Sequence, residues 1–274
     1  MNKPEPPDSF STASVLERHD AGGIATLTLN RPPARNSLSE ALLDALQSNL
    51  NEIATNDQVR VVIIAANGPA FCAGHDLKEM SARRSDPDRG RAYFQELLKR
   101  CSTLMQTIVH CPKPVIAQVH AIASAAGCQL VASCDLAIAG NSAGFCTPGV
   151  HIGLFCSTPM VALSRNLSPK HSMEMLLTGN TMDAERAVAF GLVNRAVPDD
   201  ELASATRALA EQIASKSAHT IKIGKQAFYR QLEMGLAEAY DYATEVMTEN
   251  MLDRDAEEGI GAFMEKRPPT WEDR

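Results

Sequence analysis

A chain of 274 residues, 45% hydrophobic and 22% charged, is long enough for one large domain, or for one domain with an appended subdomain. Its net charge of −7 argues against general binding to nucleic acid or to an anionic membrane surface, and leaves room for a phosphorylated ligand held by a few local cations. Seven scattered cysteines (Cys72, Cys101, Cys111, Cys128, Cys134, Cys146 and Cys156) include no Cys-x-x-Cys pair, so neither a disulfide framework nor a metal site is indicated, and a reducing cytoplasm is the expected compartment.

Residues 1–12 hold Pro4, Pro6 and Pro7 with Lys3 as their only base, and read as a disordered tail rather than a signal or transit peptide. No apolar run reaches the roughly 18 residues of a membrane span, so membrane insertion is not expected. Strands are expected at 15–17 and 24–29 around the turn Ala21-Gly22-Gly23, and Arg31-Pro32-Pro33 stops the second. Ser37 with Glu40 spells a capping box, and the helix after it puts Leu42, Leu43, Leu46, Leu50 and Ile53 on one stripe. Residues 59–66 are apolar on both faces, as a central strand requires. The polar stretch 81–90 reads as a mobile loop, followed by a helix over 91–109 and a buried strand over 115–119. A run of small residues from Ala121 opens a helix that ends at Cys134, and a strand follows over 135–139. This repetition of strand, turn and helix predicts an α/β core over 13–197. Within its end lie a helix over 172–178 closed by Gly179, another capped by Asp183 and closed by Gly191, and a strand over 192–197. Helices expected at 201–215, 218–250 and 256–266 make 198–274 a C-terminal helical subdomain.

Two segments stand out together. Phe71-Cys72-Ala73-Gly74-His75-Asp76-Leu77-Lys78-Glu79-Met80 resembles the Phe-x-Ala-Gly-x-Asp-[Leu/Ile]-Lys-Glu-Met motif of the crotonase (enoyl-CoA hydratase/isomerase) superfamily. Ala125-Ala126-Gly127-Cys128-Gln129-Leu130, continuing to Ser133-Cys134-Asp135, is similar to that family's Gly-Gly-Gly-Cys-Glu-Leu…Cys-Asp motif. The resemblance runs from Leu29-Asn30-Arg31-Pro32 and Asn36-Ser37-Leu38 to the closing Gly261-Ala262-Phe263-Met264-Glu265-Lys266-Arg267. Within the superfamily, Gly74-His75-Asp76-Leu77 and Ala126-Gly127-Cys128-Gln129-Leu130 resemble the enoyl-CoA hydratase domain-containing protein 3 group most. What is implied is a ClpP-like spiral of ββα units with a C-terminal helical trimerisation subdomain.

The resemblance also implies a chemistry. In this family a thioester carbonyl becomes an enolate, and two backbone N–H groups receive its charge; the matching positions are His75 and Ala126. Backbone donors need no particular side chain, and Ala126 opens a helix, whose dipole favours an anion there. The implied ligand is a coenzyme A thioester, with no prosthetic group. Backbone around Ala73 and Leu77 would meet the adenine, and Lys78 either reaches phosphate or is a solvated surface lysine. Phe263 and Lys266 match residues that, in relatives, touch CoA bound to a neighbouring subunit of a homotrimer or a dimer of trimers. Phe228, Leu232, Leu236 and Tyr240, at helical spacing, suit either an interface or core packing.

The family's two catalytic glutamates are absent. The first position is Gln129 and the second, within Thr147-Pro148-Gly149-Val150-His151, is Gly149. A carboxamide holds water but takes no proton near neutral pH, and a positioned acid or base is typically worth about 10²–10⁴-fold, so efficient 2-enoyl-CoA hydration is not expected. Cys156 stands about where some relatives carry an aspartate; it is either a thiolate activated by a helix starting near Ser157 or a small apolar filler. Bicarbonate in the space left by Gly149 is another route, as in the family's naphthoate synthases. The His75 imidazole is either a base beside the thioester or a pocket wall; His120 reads as structural, His151 as structural unless a short loop shift brings it to the acyl group, and the acids Glu79 and Asp135 as structural or rim residues. Two readings remain: an enzyme with an atypical lyase or isomerase site, and a non-catalytic acyl-CoA binder that keeps the fold.

Overall fold

The structure is a computed structural model, and it describes residues 14–274; the tail expected at residues 1–12 lies outside the described residues. Strands β1 (Leu16–Ala21) and β2 (Ile24–Leu29) form a hairpin whose two-residue turn, Gly22-Gly23, has φ of 60° and 76°, a conformation that glycine adopts without a Cβ clash. Helix α1 (Glu40–Thr55) follows, then β3 (Val61–Ala66), α2 (Leu77–Ala82) and α3 (Arg91–His110). Next come β4 (Val115–Val119), β5 (Ala123–Ser124), α4 (Ala126–Ser133), β6 (Leu136–Gly140) and β7 (Gly144–Cys146). Short helices α5 (Pro159–Leu163) and α6 (Pro169–Thr178) lead to β8 (Met182–Asp183), α7 (Ala184–Phe190) and β9 (Arg195–Val197). The chain closes with α8 (Leu202–Ala214), α9 (Ala218–Gln231), α10 (Leu236–Leu252) and α11 (Arg254–Glu265).

The main sheet has the order β1-β2-β3-β4-β6-β9, parallel from β2 onward; β5, β7 and β8 form a second, three-stranded sheet. Alternation along β3 divides the core. Val62 and Ile64 join the large cluster with Leu42, Leu46, Leu104 and Leu130, while Val61, Ile63 and Ala65 join Ile116 and Ala210 on the other face. That second face is covered by α8, which touches β3, β4 and β6. The boundary expected at Val197/Pro198 therefore falls before the packing ends, because the apolar stripe of α8 belongs to the sheet. The α9–α11 layer begins at Ala218.

Several local expectations shift for physical reasons. The cap of α1 is Ser39, accepting from the Leu42 N–H, rather than Ser37, whose hydroxyl donates to Asp76. The stretch 81–90, expected as a mobile loop, contains the end of α2 and a 3₁₀ turn at Arg83–Ser85. Its Asp88 carboxylate accepts the Gly90 and Ala92 N–H groups at the start of α3, and Arg83 and Arg84 lie over the rings of Tyr93 and Phe94. The single helix expected over 218–250 breaks into α9 and α10, with Gly235 as the N-cap of the second.

The last helices are tied back by the C-terminal residues. Asp255, 2% exposed, accepts the Glu272 and Asp273 N–H groups. Asp273 pairs with Arg60, and Trp271 donates its indole N–H to the Ser215 carbonyl. All seven cysteines are free and buried, and no helix among the described residues is long and apolar enough to cross a membrane.

Candidate active site

The two motif segments are brought together by backbone pairing. The Phe71 and Cys72 N–H groups donate to the Ile122 carbonyl at 3.0 and 3.2 Å, and the Ser124 N–H donates to the Cys72 carbonyl at 2.8 Å. On the other side, Leu38 pairs with His75 as a parallel bridge, through Leu38 N to Gly74 O (2.7 Å) and Asp76 N to Leu38 O (3.3 Å). This orientation turns the His75 N–H away from Leu38. Approach between the segments is close: a Cβ at Gly127 would lie 2.2 Å from the Cys72 carbonyl oxygen. At Gly74, where φ is +93°, a Cβ would lie 3.0 Å from the Ala125 Cβ and 3.4 Å from the Ala126 nitrogen. The N–H groups of His75 and Ala126 are thus neighbours, and neither has an acceptor among the described residues. Ala126 is the first residue of α4, so the partial positive charge of that terminus adds to its own donor.

Ala125, the N-cap of α4, has φ 50° and ψ −115°, a conformation disfavoured for a residue with a Cβ. Holding it there costs about 1–3 kcal/mol, which the surrounding pairing, including Ala125 N to Cys146 O at 2.9 Å, has to offset. Ala125→Gly is expected to raise stability by about 1 kcal/mol after the extra chain entropy of glycine is subtracted, measurable by chemical denaturation. An unchanged or lower midpoint would mean that Ala125 is not strained.

The loop carrying His75 rests on a polar scaffold that the sequence reading passed over. Asn36, fully buried, donates to the carbonyls of Asn67 and Ala70 (2.8 Å each) and accepts the Arg31 N–H. Asp76 caps α2 by accepting the Lys78 and Glu79 N–H groups. Burial works against the Asp76 charge, but Arg31, the two N–H groups and Ser37 outweigh it and hold the carboxyl below its ordinary range. Glu79 reaches across to accept the Glu40 N–H at the start of α1, which agrees with the structural of its two expected roles. The available signal was the Arg31…Asn36-Ser37 motif, whose polar side chains face inward.

The side chains of His75 and Gln129 are uncharged. His75 has both ring nitrogens buried without a hydrogen-bond partner among the described residues, and burial lowers its pKa, leaving the imidazole neutral near pH 7. The sign follows. Below the ordinary imidazole value of about 6.5 the unfolded chain takes up a proton that the native site resists, so this contribution to stability is present above that value and is lost as pH falls. Wild type is therefore expected to lose more stability between pH 7.5 and 5.5 than His75→Leu does in parallel denaturant titrations; equal losses would refute it. Gln129 is 4% exposed, with its Oε1 buried and unpartnered.

Gly149 lies buried in the 3₁₀ turn Pro148–Ile152. The space beside it is filled: a Cβ there would lie 2.7 Å from the Leu154 carbonyl oxygen and 2.9 Å from the Cys156 sulfur. A side chain at this position would meet the thiol and that carbonyl at its first carbon. Of the two readings of Cys156, the small apolar filler agrees better with its surroundings. Burial pushes that thiol up, the Gly149 N–H offsets this in part, and the nearby α5 starts only at Pro159 with five residues. The other positions are dispersed. The Ala73 N–H donates to the Arg35 carbonyl, and Leu77 and Lys78 are exposed at the start of α2. Phe263, 84% exposed, and Lys266 lie at the end of α11. The His120 Nε2–H donates to the Gly68 carbonyl (2.8 Å) and the His151 Nε2–H to the Thr178 carbonyl (2.9 Å), in keeping with structural roles.

The chain belongs to the enoyl-CoA hydratase/isomerase (crotonase) family, whose sequence model matches residues 19–274. Among its members it is 45% identical over 249 residues to enoyl-CoA hydratase domain-containing protein 3, mitochondrial, of Homo sapiens, covering 91% of this chain and 80% of that protein. The rat protein of the same name is 42% identical over 269 residues, covering 98% and 87%. The crystal structure of the human protein superposes with a TM-score of 0.90 at 44% identity, covering 94% of this chain and 100% of that one. An enoyl-CoA hydratase from Mycobacterium smegmatis gives a TM-score of 0.90 at 48% identity, covering 94% and 98%.

These relatives overturn the cytoplasmic expectation, for the human, rat and mouse proteins are all named mitochondrial. Free, buried cysteines suit any reducing compartment and do not separate the cytoplasm from a mitochondrial interior.

Proposed function

We propose that this chain binds a coenzyme A thioester and stabilises its enolate with the N–H groups of His75 and Ala126. The observation that carries the reading is the pair of neighbouring unpaired donors, one in the loop before α2 and the other at the start of α4. Each donor in such a hole is typically worth about 3–4 kcal/mol of barrier. Backbone near Ala73 and Leu77 meets the adenine and Lys78 approaches phosphate, while Phe263 and Lys266 reach the CoA of a neighbouring subunit in a trimer or a dimer of trimers. The exposed Phe228, Leu232, Leu236 and Tyr240 on α9 and α10 support such an assembly. No prosthetic group takes part. The reaction is one other than efficient 2-enoyl-CoA hydration, since Gln129 and Gly149 supply no carboxylate.

A second reading, a non-catalytic acyl-CoA binder, is favoured by one observation: Cys156 fills the place beside Gly149 and its thiol is pushed up, which leaves no evident base there. Calorimetric titration with butyryl-CoA, followed by deuterium exchange at its Cα in D₂O, separates the two. Binding with exchange supports the enzyme, and binding without exchange or turnover of a panel of acyl-CoAs supports the binder. Absence of binding defeats both. Crotonyl-CoA hydration is expected to run at least about 10²-fold below that of a relative with both glutamates.

A further inference from the structure

Helix α11 is fastened on one side and bare on the other. Asp255, Glu258, Gly259 and Ala262 recur at the spacing of one helical face. The first three meet residues 267–274, which fold back along the helix, and Ala262 is buried. Asp255 accepts the Glu272 and Asp273 N–H groups at 2.7 and 2.9 Å, and its own N–H donates to the Arg274 carbonyl at 2.9 Å. Glu258 accepts the Thr270 N–H at 2.8 Å and pairs with Arg267. The Trp271 ring lies over Gly259, where an added Cβ would sit 3.2 Å from it.

The same segment grips the body of the protein. The Trp271 indole N–H donates to the Ser215 carbonyl just after α8 (2.9 Å). Asp273 accepts from the Arg60 guanidinium, just before β3, and from the Ala218 N–H that starts α9, at 2.8 and 2.7 Å. Residues 267–274 are thus a strap between α11 and the corner of α8 and α9. Helix α10, through which the chain reaches α11, has no buried residue and offers it little anchorage of its own.

The face turned away from the strap carries exposed Ile260, Phe263 and Met264. Lys266 closes the helix with φ 55°, a left-handed position where glycine is favoured and a Cβ is not. Arg267 pairs with Glu258 and Glu265, whereas Lys266 has no acidic partner among the described residues. An exposed phenylalanine beside an unpaired lysine, on a helix strapped from behind, is placed to meet something outside its own chain. A helix free to swing would have to be ordered at each binding event, and that cost would appear as lost affinity; the strap meets it in advance.

We infer that Asp255, Trp271 and Asp273 are positioning residues for coenzyme A: they hold α11 so that Phe263 and Lys266 are presented, already ordered, to the CoA of a neighbouring subunit. The inference rests on the thioester reading above.

The test is a mutant cycle on the full chain, read by calorimetric titration with butyryl-CoA. Trp271→Ala and Asp255→Asn are each made in the otherwise wild-type chain and in a Phe263→Ala/Lys266→Ala background. Each strap variant is expected to weaken binding about tenfold or more in the first setting and about twofold or less in the second, where nothing is left to position. Unfolded chains lower the stoichiometry of the titration and not the fitted affinity, so the readout survives partial loss of fold. A strap that merely stabilises the protein would weaken binding equally in both settings. Equal losses, no loss in the otherwise wild-type chain, or wild-type affinity in Phe263→Ala/Lys266→Ala overturns the inference and leaves the thioester reading standing. If the wild-type chain does not bind butyryl-CoA, the thioester reading falls and takes the inference with it.

Discussion

Gly127→Ala is expected to destabilise the protein by about 3 kcal/mol or more and to weaken thioester binding by about 10²-fold. The added Cβ would sit 2.2 Å from the Cys72 carbonyl oxygen and 2.8 Å from the Cys72 carbonyl carbon and Cβ. That oxygen already accepts the Ser124 N–H, so it cannot yield without breaking the pairing that joins the two motif segments. Displacing either segment by about 1 Å separates the His75 and Ala126 donors, and donors out of place lose most of their effect. Gly153→Ala is the control. Its φ is +76° but nothing lies within 4 Å of the added Cβ, so the cost is about 1 kcal/mol of backbone strain with no change in binding. Denaturant titration and calorimetry of both variants decide the matter; wild-type stability and affinity in Gly127→Ala would overturn it.

Lys225→Met is expected to cost about 3–5 kcal/mol, through a buried charge left without its partner. The Lys225 side chain is 7% exposed, and its Nζ donates to Asp135 Oδ2 at 2.7 Å and to the carbonyls of Ile108 and Lys113 at 3.0 and 3.1 Å. Asp135 also accepts the Tyr229 hydroxyl and the Val115 N–H, so this cluster fastens α9 to the end of α3 and the start of β4. Burial raises the Asp135 carboxyl even with Lys225, Val115 and Tyr229 opposing it, and methionine removes the largest of those opposing effects. A carboxyl whose native pKa lies above its unfolded value binds its proton more readily when folded, so its penalty is present above the raised pKa and relieved as pH falls through it. The deficit of Lys225→Met is therefore expected to be smaller at about pH 5 than at about pH 7.5. A pH-independent deficit would mean that Asp135 is not the group left unpaired.

How much of this was legible beforehand depended on the kind of signal. The stripe Leu42, Leu43, Leu46, Leu50 and Ile53 and the apolar run before Asn67 report burial directly, and all of those helix residues are buried. Family membership was legible from two motifs at the right separation. Element ends were less so. Ser37 and Ser39 are equally good caps by composition, and only the demand of Asp76 for the Ser37 hydroxyl decides between them. The break between α9 and α10 was missed because helical periodicity continues across Gly235. In the site, sequence told which carboxylates were missing but not what fills the room. The contact between Gly149 and Cys156 depends on how the turn at 148–152 folds back, which no spacing rule encodes. The stretch 81–90 misled because polarity marks exposure as readily as mobility, and here Asp88 spends its carboxylate on the start of α3.

The pairing of Cys72 with Ala123 and of Leu38 with His75 has a consequence for how the protein acquires its site. The segments joined through these bridges are separated along the chain by whole helices, so the two donors meet only after distant segments have closed on one another. A partly folded chain can hold α1 or α3 and still lack any place for a thioester. Ligand binding is thereby coupled to completion of the core, and a bound thioester would stabilise the finished molecule alone, by mass action, over every intermediate on the way to it.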